Sequence, residues 1–272
     1  MSDGGTERIA AAFASARASG RRAALMPYLM GGFPTIERSA EIAVAYADGG
    51  ADLIELGVPF SDPLADGPVI HAAGVAALAA GARVHAVLEI ARVVADRVPV
   101  IVMCYANLVM ARGLERFADE LVAAGAAGLI VPDLPFEEAP ETLAACDARG
   151  LALVPLVAPT TPEERLAAIG ARARGFLYTV SLTGTTGERA ALDGDGLRRI
   201  LARAAACTAV PVALGFGIGT AAQAAAAAAA GADGVIVGTR LVRAAGEAAD
   251  PVTAVRDLMS EFSTALTDAS LG

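Results

Sequence analysis

Short runs of Val, Ile and Leu alternate with longer Ala-rich segments of helical period along almost the whole chain, and this alternation constrains the fold more than any single motif. An apolar run of about four to seven residues without polar alternation is the pattern of a strand covered on both faces. Such runs fall at Ala24–Met30, Leu53–Leu56, Val100–Cys104, Gly128–Val131, Ala152–Leu156, Phe176–Val180, Val210–Leu214 and Gly234–Val237. Helical segments lie between them near Ile36–Asp48, Arg83–Ala95, Leu114–Ala124, Glu137–Ala148, Pro162–Ile169, Asp195–Ala205 and Ala221–Ala230, with Thr239–Ala248 and Pro251–Asp268 after the last strand. Thr6–Ser19 reads as an added helix with Thr6 as its N-cap, preceded by a disordered tail over residues 1–5. Eight such units in 272 residues predict a single-domain α/β protein, a (β/α)8 TIM barrel with an additional N-terminal helix. An open doubly wound sheet calls for fewer units and a GxGxxG turn after the first strand, where this chain has GGFPT.

Composition narrows the chemistry. A net charge of −9 argues against nucleic acid or an anionic membrane as partner, since both need a basic surface. All 21 basic residues are Arg, so any mechanism that needs a Schiff-base lysine is excluded. Cys104, Cys146 and Cys207 are widely spaced in apolar contexts and read as free thiols in a reducing compartment. The polar N-terminus, without a basic segment leading into an apolar one, favours the cytoplasm. His71 and His85 have no metal-ligand spacing, fall off the functional rim, and have no GxSxG partner.

In a barrel of this kind the site is assembled at the C-terminal ends of the strands. Glu55 stands near the end of the second strand, an acid among Leu53, Ile54, Leu56 and Val58, and Asp62 and Asp66 follow in a Pro/Gly-punctuated loop. One dry and one wetter carboxylate would have separated pKa values, which supplies a proton-transfer group and a fixed anion together. Tyr105 and Asn107 follow the third strand and Asp133 the fourth. The sixth strand carries Tyr178 and leads into SLTGTTG, whose glycines flank Thr185 and Thr186 as in a hinged lid spanning Ser181–Arg189 or, equally by composition, a disordered surface loop. GFGIG after the seventh strand and Gly238-Thr239 after the eighth occupy the place of a barrel phosphate site, where backbone amides and a helix N-terminus face the dianion.

These residues resemble one family along essentially the whole chain, the tryptophan synthase α subunit. PYLMGGFP at Pro27–Pro34, IELGVPFSDPLADGPVI at Ile54–Ile70, MCYANLV at Met103–Val109, VPDLPFEE at Val131–Glu138, YTVSLTGTTG at Tyr178–Gly187, GFGIG at Gly215–Gly219 and GVIVGT at Gly234–Thr239 carry the resemblance. It implies a lyase that performs retro-aldol cleavage of indole-3-glycerol phosphate to indole and glyceraldehyde 3-phosphate in tryptophan biosynthesis, without a cofactor of its own. It assigns proton transfer to Glu55, places Asp66 against the indole N–H, and makes Tyr178 an active-site tyrosine. Thr186 would hydrogen-bond Asp66 on lid closure. Phosphate would rest on Gly184, Gly217, Gly238 and Thr239, and Leu25, Met103, Tyr105 and Leu129 would line the indole pocket. Leu25, Phe33 and Thr239 replace residues more usual in the family. The implied partner is a β subunit carrying pyridoxal phosphate, in an αββα heterotetramer, with the Asp66 loop and the segment near Asn107 toward β. Indole-3-glycerol phosphate synthase and class I aldolases share the barrel but need lysines that are absent. A non-catalytic scaffold would have no use for Glu55, Asp66 and the phosphate loops together.

Overall fold

The computed structural model describes residues 4–180, 194–215 and 217–267. Nine strands pair in parallel: β1 (Ala24–Met30), β2 (Ile54–Gly57), β3 (Val100–Met103), β4 (Gly128–Ile130), β5 (Ala152–Leu153), β6 (Leu156–Val157), β7 (Leu177–Val180), β8 (Val212–Gly215) and β9 (Gly234–Val237). Their order is β5-β4-β3-β2-β1-β9-β8-β7-β6. The fifth expected strand, Ala152–Leu156, is divided because Pro155 has no N–H to continue a ladder. Its first half pairs with β4 and its second with β7. The Val154 N–H donates to the Leu129 carbonyl at 2.9 Å and the Tyr178 N–H to the Pro155 carbonyl at 3.0 Å, so one bent segment bonds to both ends of the sheet and closes the barrel.

The strands alternate between two apolar environments. Leu25, Leu29, Ile54, Leu56, Val100 and Leu129 pack outward with the helices. Ala24, Met26, Leu53, Ile101, Ile130 and Ala213 fill the lumen. The expected helices form, some with shifted ends: α1 (Gly5–Ala18), α2 (Ile36–Asp48), then α4 (Val84–Val94), α6 (Leu114–Ala123), α7 (Pro140–Asp147), α8 (Glu163–Arg172), α9 (Gly194–Ala206), α10 (Ala221–Ala229), α11 (Thr239–Glu247) and α12 (Pro251–Thr267). Two more join them, α3 (Pro68–Ala79) and α5 (Ala106–Arg112), beyond those expected from the sequence. α3 starts from Gly67 with Pro68 in its first turn, the position where a missing N–H costs a helix nothing. Ala224, Ala225, Ala227 and Ala228 of α10 are buried, as small side chains on a closely packed helix require. No single described helix is long and apolar enough to cross a membrane.

The added helix α1 determines which end of the barrel is open. Its Ile9, Phe13 and Ala16 belong to the same cluster as the lumen residues, and the Phe13 ring lies 6.0 Å from that of Phe176. The N-terminal end of the barrel is therefore plugged with apolar side chains, leaving the strand C-terminal ends to form the mouth. The helix begins earlier than expected. Gly4, not Thr6, is the N-cap, and its N–H donates to the Glu7 carboxylate at 3.1 Å. Of the tail expected over residues 1–5, the described Gly4 and Gly5 are ordered, and Gly5 is buried where any Cβ would collide with the Ala127 carbonyl.

Candidate active site

Glu55 projects into the lumen from β2, opposite Tyr28 on β1 and Ile101 on β3. It is 2 % exposed, and its Oε2 is buried with no hydrogen-bond partner. An unpartnered carboxylate in such a place is strongly disfavoured, so the group holds its proton instead. Burial, with a further contribution from the negative charge of Asp66, raises its pKa to about 8.

Asp66 occupies the loop after β2 and is tied to the exit of β3. The Tyr105 hydroxyl donates to its Oδ1 at 2.9 Å, accepts from the Ala65 N–H at 3.1 Å, and the Tyr105 ring stacks on Phe60 at 5.3 Å. Burial raises the Asp66 pKa, while the Tyr105 hydrogen bond and the charge of His71 hold it down. His71 thus stands near the site, contrary to its expected place off the rim. It lies in the first turn of α3, a helix that the sequence pattern does not mark. Asp133 organises the chain locally, since its Oδ1 accepts from the Ala106 N–H at 2.8 Å, at the start of α5. Asn107 is exposed on that helix.

Two tyrosines extend their phenols over glycines at the ends of β2 and β8. A Cβ on Gly57 would lie 2.7 Å from Tyr28 Cζ and inside its hydroxyl, and a Cβ on Gly215 would lie 2.5 Å from Tyr178 Cζ and likewise overlap the hydroxyl. Gly57 and Gly215 are glycine because these phenols take the space of their side chains. Both tyrosines are buried, and burial, with the negative charges of Asp66 and then Glu55 at Tyr28 and of Glu55 at Tyr178, keeps each phenol protonated far above its ordinary range.

At the other side of the mouth, α11 starts directly at the end of β9 with Gly238 as its N-cap, so its first amides, which have no partner within the helix, face the opening. Gly217 adopts φ +83°, a left-handed backbone that favours glycine. Gly217, Gly238 and Thr239 thus lie at the same end of the barrel as the acids. Gly184 and Thr186, with the expected lid, lie outside the described residues.

Two expected pocket residues are corrected. Leu25 and Leu129 face the helix layer, since each lies an odd number of positions from a lumen neighbour on its strand. Their lumen counterparts are Tyr28 and Ile130. Met103 does face the lumen, paired in register with Gly57. Tyr28, absent from the expected site, is readable by period two from Met26, two residues earlier.

The chain matches the family model described as tryptophan synthase alpha chain over residues 13–270. It is 47 % identical over 248 residues to the tryptophan synthase alpha chain of Prochlorococcus marinus, covering 90 % of each chain. With that of Methanosarcina mazei it shares 45 % identity over 250 residues, 92 % of this chain and 91 % of the relative. Among solved structures, Mycobacterium tuberculosis tryptophan synthase superposes with a TM-score of 0.88 at 39 % identity, covering 96 % of this chain and 99 % of that one. The alpha subunit from Legionella pneumophila gives a TM-score of 0.85 at 36 % identity, with 95 % and 98 % covered. The chain belongs to the tryptophan synthase alpha chain family, lyases that cleave indole-3-glycerol phosphate to indole and glyceraldehyde 3-phosphate in tryptophan biosynthesis.

Proposed function

We propose that this cleavage runs on Glu55 as the proton carrier and Asp66 as the fixed anion. The observation that carries the assignment is the buried Glu55 carboxyl, with its Oε2 unpartnered and its pKa raised to about 8, which is protonated in the resting site at neutral pH. It gives its proton to indole C3, and the positive charge that develops on the ring nitrogen is met by Asp66. Glu55, now a carboxylate, accepts the proton of the glycerol C3′ hydroxyl as the bond between indole C3 and C3′ breaks. Indole and glyceraldehyde 3-phosphate leave, with Glu55 protonated again. The substrate phosphate rests on the amides of Gly217 and Gly238 and on the Thr239 hydroxyl, and Tyr178 and Met103 border the reacting atoms.

The test is indole release from indole-3-glycerol phosphate. Glu55→Gln is expected to abolish turnover, and undiminished release would refute the proton carrier. Asp66→Asn is expected to bind substrate and not turn it over, because the shape is kept and the charge removed.

Members of this family work with a β subunit, and the αββα arrangement is proposed here for this chain, with pyridoxal phosphate held by β. Leu64 is 80 % exposed in the Asp66 loop and Met110 is 48 % exposed on α5, two large apolar side chains in the segments that the resemblance turns toward β.

A further inference from the structure

Tyr28 is the side chain that spans the mouth from the phosphate end to the acid end. Its Cβ lies 3.6 Å from where a Cβ on Gly238 would stand, while its hydroxyl fills the side-chain space of Gly57, one layer above Glu55. The backbone carbonyl of Tyr28 accepts from the Tyr46 hydroxyl at 3.3 Å, which fixes the strand beneath it. Tyr28 belongs to one apolar cluster with Met30 and Ile70, and Met103 packs against that cluster. The phenol hydroxyl itself donates to no other described residue, although it stands close enough to Asp66 and Glu55 for both charges to act on it. A donor held in place by packing, on a side chain that is 7 % exposed, and without an acceptor among the described residues at the edge of a site, is placed for a ligand.

The substrate has the same layout. Its phosphate and its indole are joined by a three-carbon chain bearing two hydroxyls, and with the phosphate at Gly238 and the reacting carbon at Glu55 that chain must run along Tyr28. We propose that the Tyr28 hydroxyl donates a hydrogen bond to a hydroxyl of the glycerol chain, making Tyr28 a specificity-determining residue that distinguishes this chain from an unsubstituted one. The inference rests on the roles of Glu55 and of the phosphate cradle proposed above.

The experiment compares Tyr28→Phe with the parent protein, both in a Glu55→Gln background so that bound substrate is not consumed. Calorimetry would give affinities for indole-3-glycerol phosphate and for 3-indolepropyl phosphate, which has the same ring, chain length and phosphate but no hydroxyls. Tyr28→Phe is expected to weaken the first by about three- to tenfold, the range for one neutral hydrogen bond, and to leave the second within about twofold. Equal losses for both ligands, or none for either, overturn the proposal and reduce Tyr28 to packing. Unfolding curves for the two proteins are expected to coincide within the small effect of removing one oxygen. If Glu55→Gln instead retains turnover, the proton-carrier assignment fails; 3-indolepropyl phosphate binding and the initial rates of both proteins, read as KM against kcat, then still decide the role of Tyr28.

Discussion

The Tyr105 hydroxyl donates to Asp66 Oδ1 at 2.9 Å and accepts from the neighbouring Ala65 N–H, so the loop bearing the anion is fastened to the exit of the third strand. Burial raises the Asp66 pKa and this bond opposes it. Tyr105→Phe keeps the ring and removes the bond. The acid limb of the indole-release profile is expected to move to higher pH by about half a unit to one unit. Turnover would then fall more at pH 6 than at pH 8, and an unmoved limb would count against Asp66 as the anion that must be ionised.

Glu55 also makes folding stability depend on pH. Its carboxyl keeps its proton up to about pH 8 in the folded protein and loses it near the ordinary value of 4.5 when unfolded. Between those values the folded state binds more protons, so stability is present below the lower value and is lost as pH rises through the window. Asp66, also raised, acts in the same direction. Glu55→Gln is expected to be more stable than the parent at pH 8 and to lose that advantage toward pH 4.5. Urea unfolding at several pH values reads the difference, and a constant gap would contradict the raised pKa.

Glycines under the two phenols are a steric requirement of the site. Gly57→Ala and Gly215→Ala each force a tyrosine hydroxyl from its place. Each substitution is expected to cost about 1–3 kcal/mol of stability, as overpacking does, and to reduce indole release at least tenfold while the protein remains folded. Circular dichroism melts alongside the assay separate the two effects, and wild-type turnover in either variant would show the phenols to be dispensable there.

The plug at the closed end allows the opposite separation. Gly5→Ala drives a Cβ into the Ala127 carbonyl, far from the mouth. The variant is expected to lose about 1–3 kcal/mol in denaturant unfolding with its kcat preserved below the transition. A loss of kcat in the fully folded protein would connect α1 to the chemistry.

The exposed Leu64 gives a test of the subunit contact. Leu64→Asp is expected to leave basal indole release by the isolated chain within about twofold while weakening association with β by tenfold or more, the scale of a buried apolar anchor replaced by a charge. Titration of β against the activity of each variant measures both quantities, and unchanged affinity would move the contact elsewhere.

Several of these features are legible in the chain. β1 and β9 run over the expected residues, because their ends are marked by Arg/Ala and Gly turns and their interiors are unbroken apolar runs. Glu55 is legible because an acid is out of place in a buried strand. Leu25 and Leu129 enter the expected pocket by resemblance alone, whereas period two puts them behind the wall and brings Tyr28 and Ile130 forward. Pro155 carries the information that its strand is divided, but a proline inside an apolar run looks the same at an edge and at a point of closure. His71 becomes visible only through the position of α3, a helix whose apolar composition gives no amphipathic pattern to read.

The division at Pro155 has a mechanical consequence. Tyr28, Glu55 and Gly238 belong to, or directly follow, β1, β2 and β9, which are consecutive members of one ladder. Pro155 lies on the opposite arc, where two short pairings replace a full strand. Deformation of the wall concentrates where backbone pairing is sparsest. The span from phosphate to proton carrier is thus set by a stiff gauge, and the compliance of the hoop is confined to a seam on the far side.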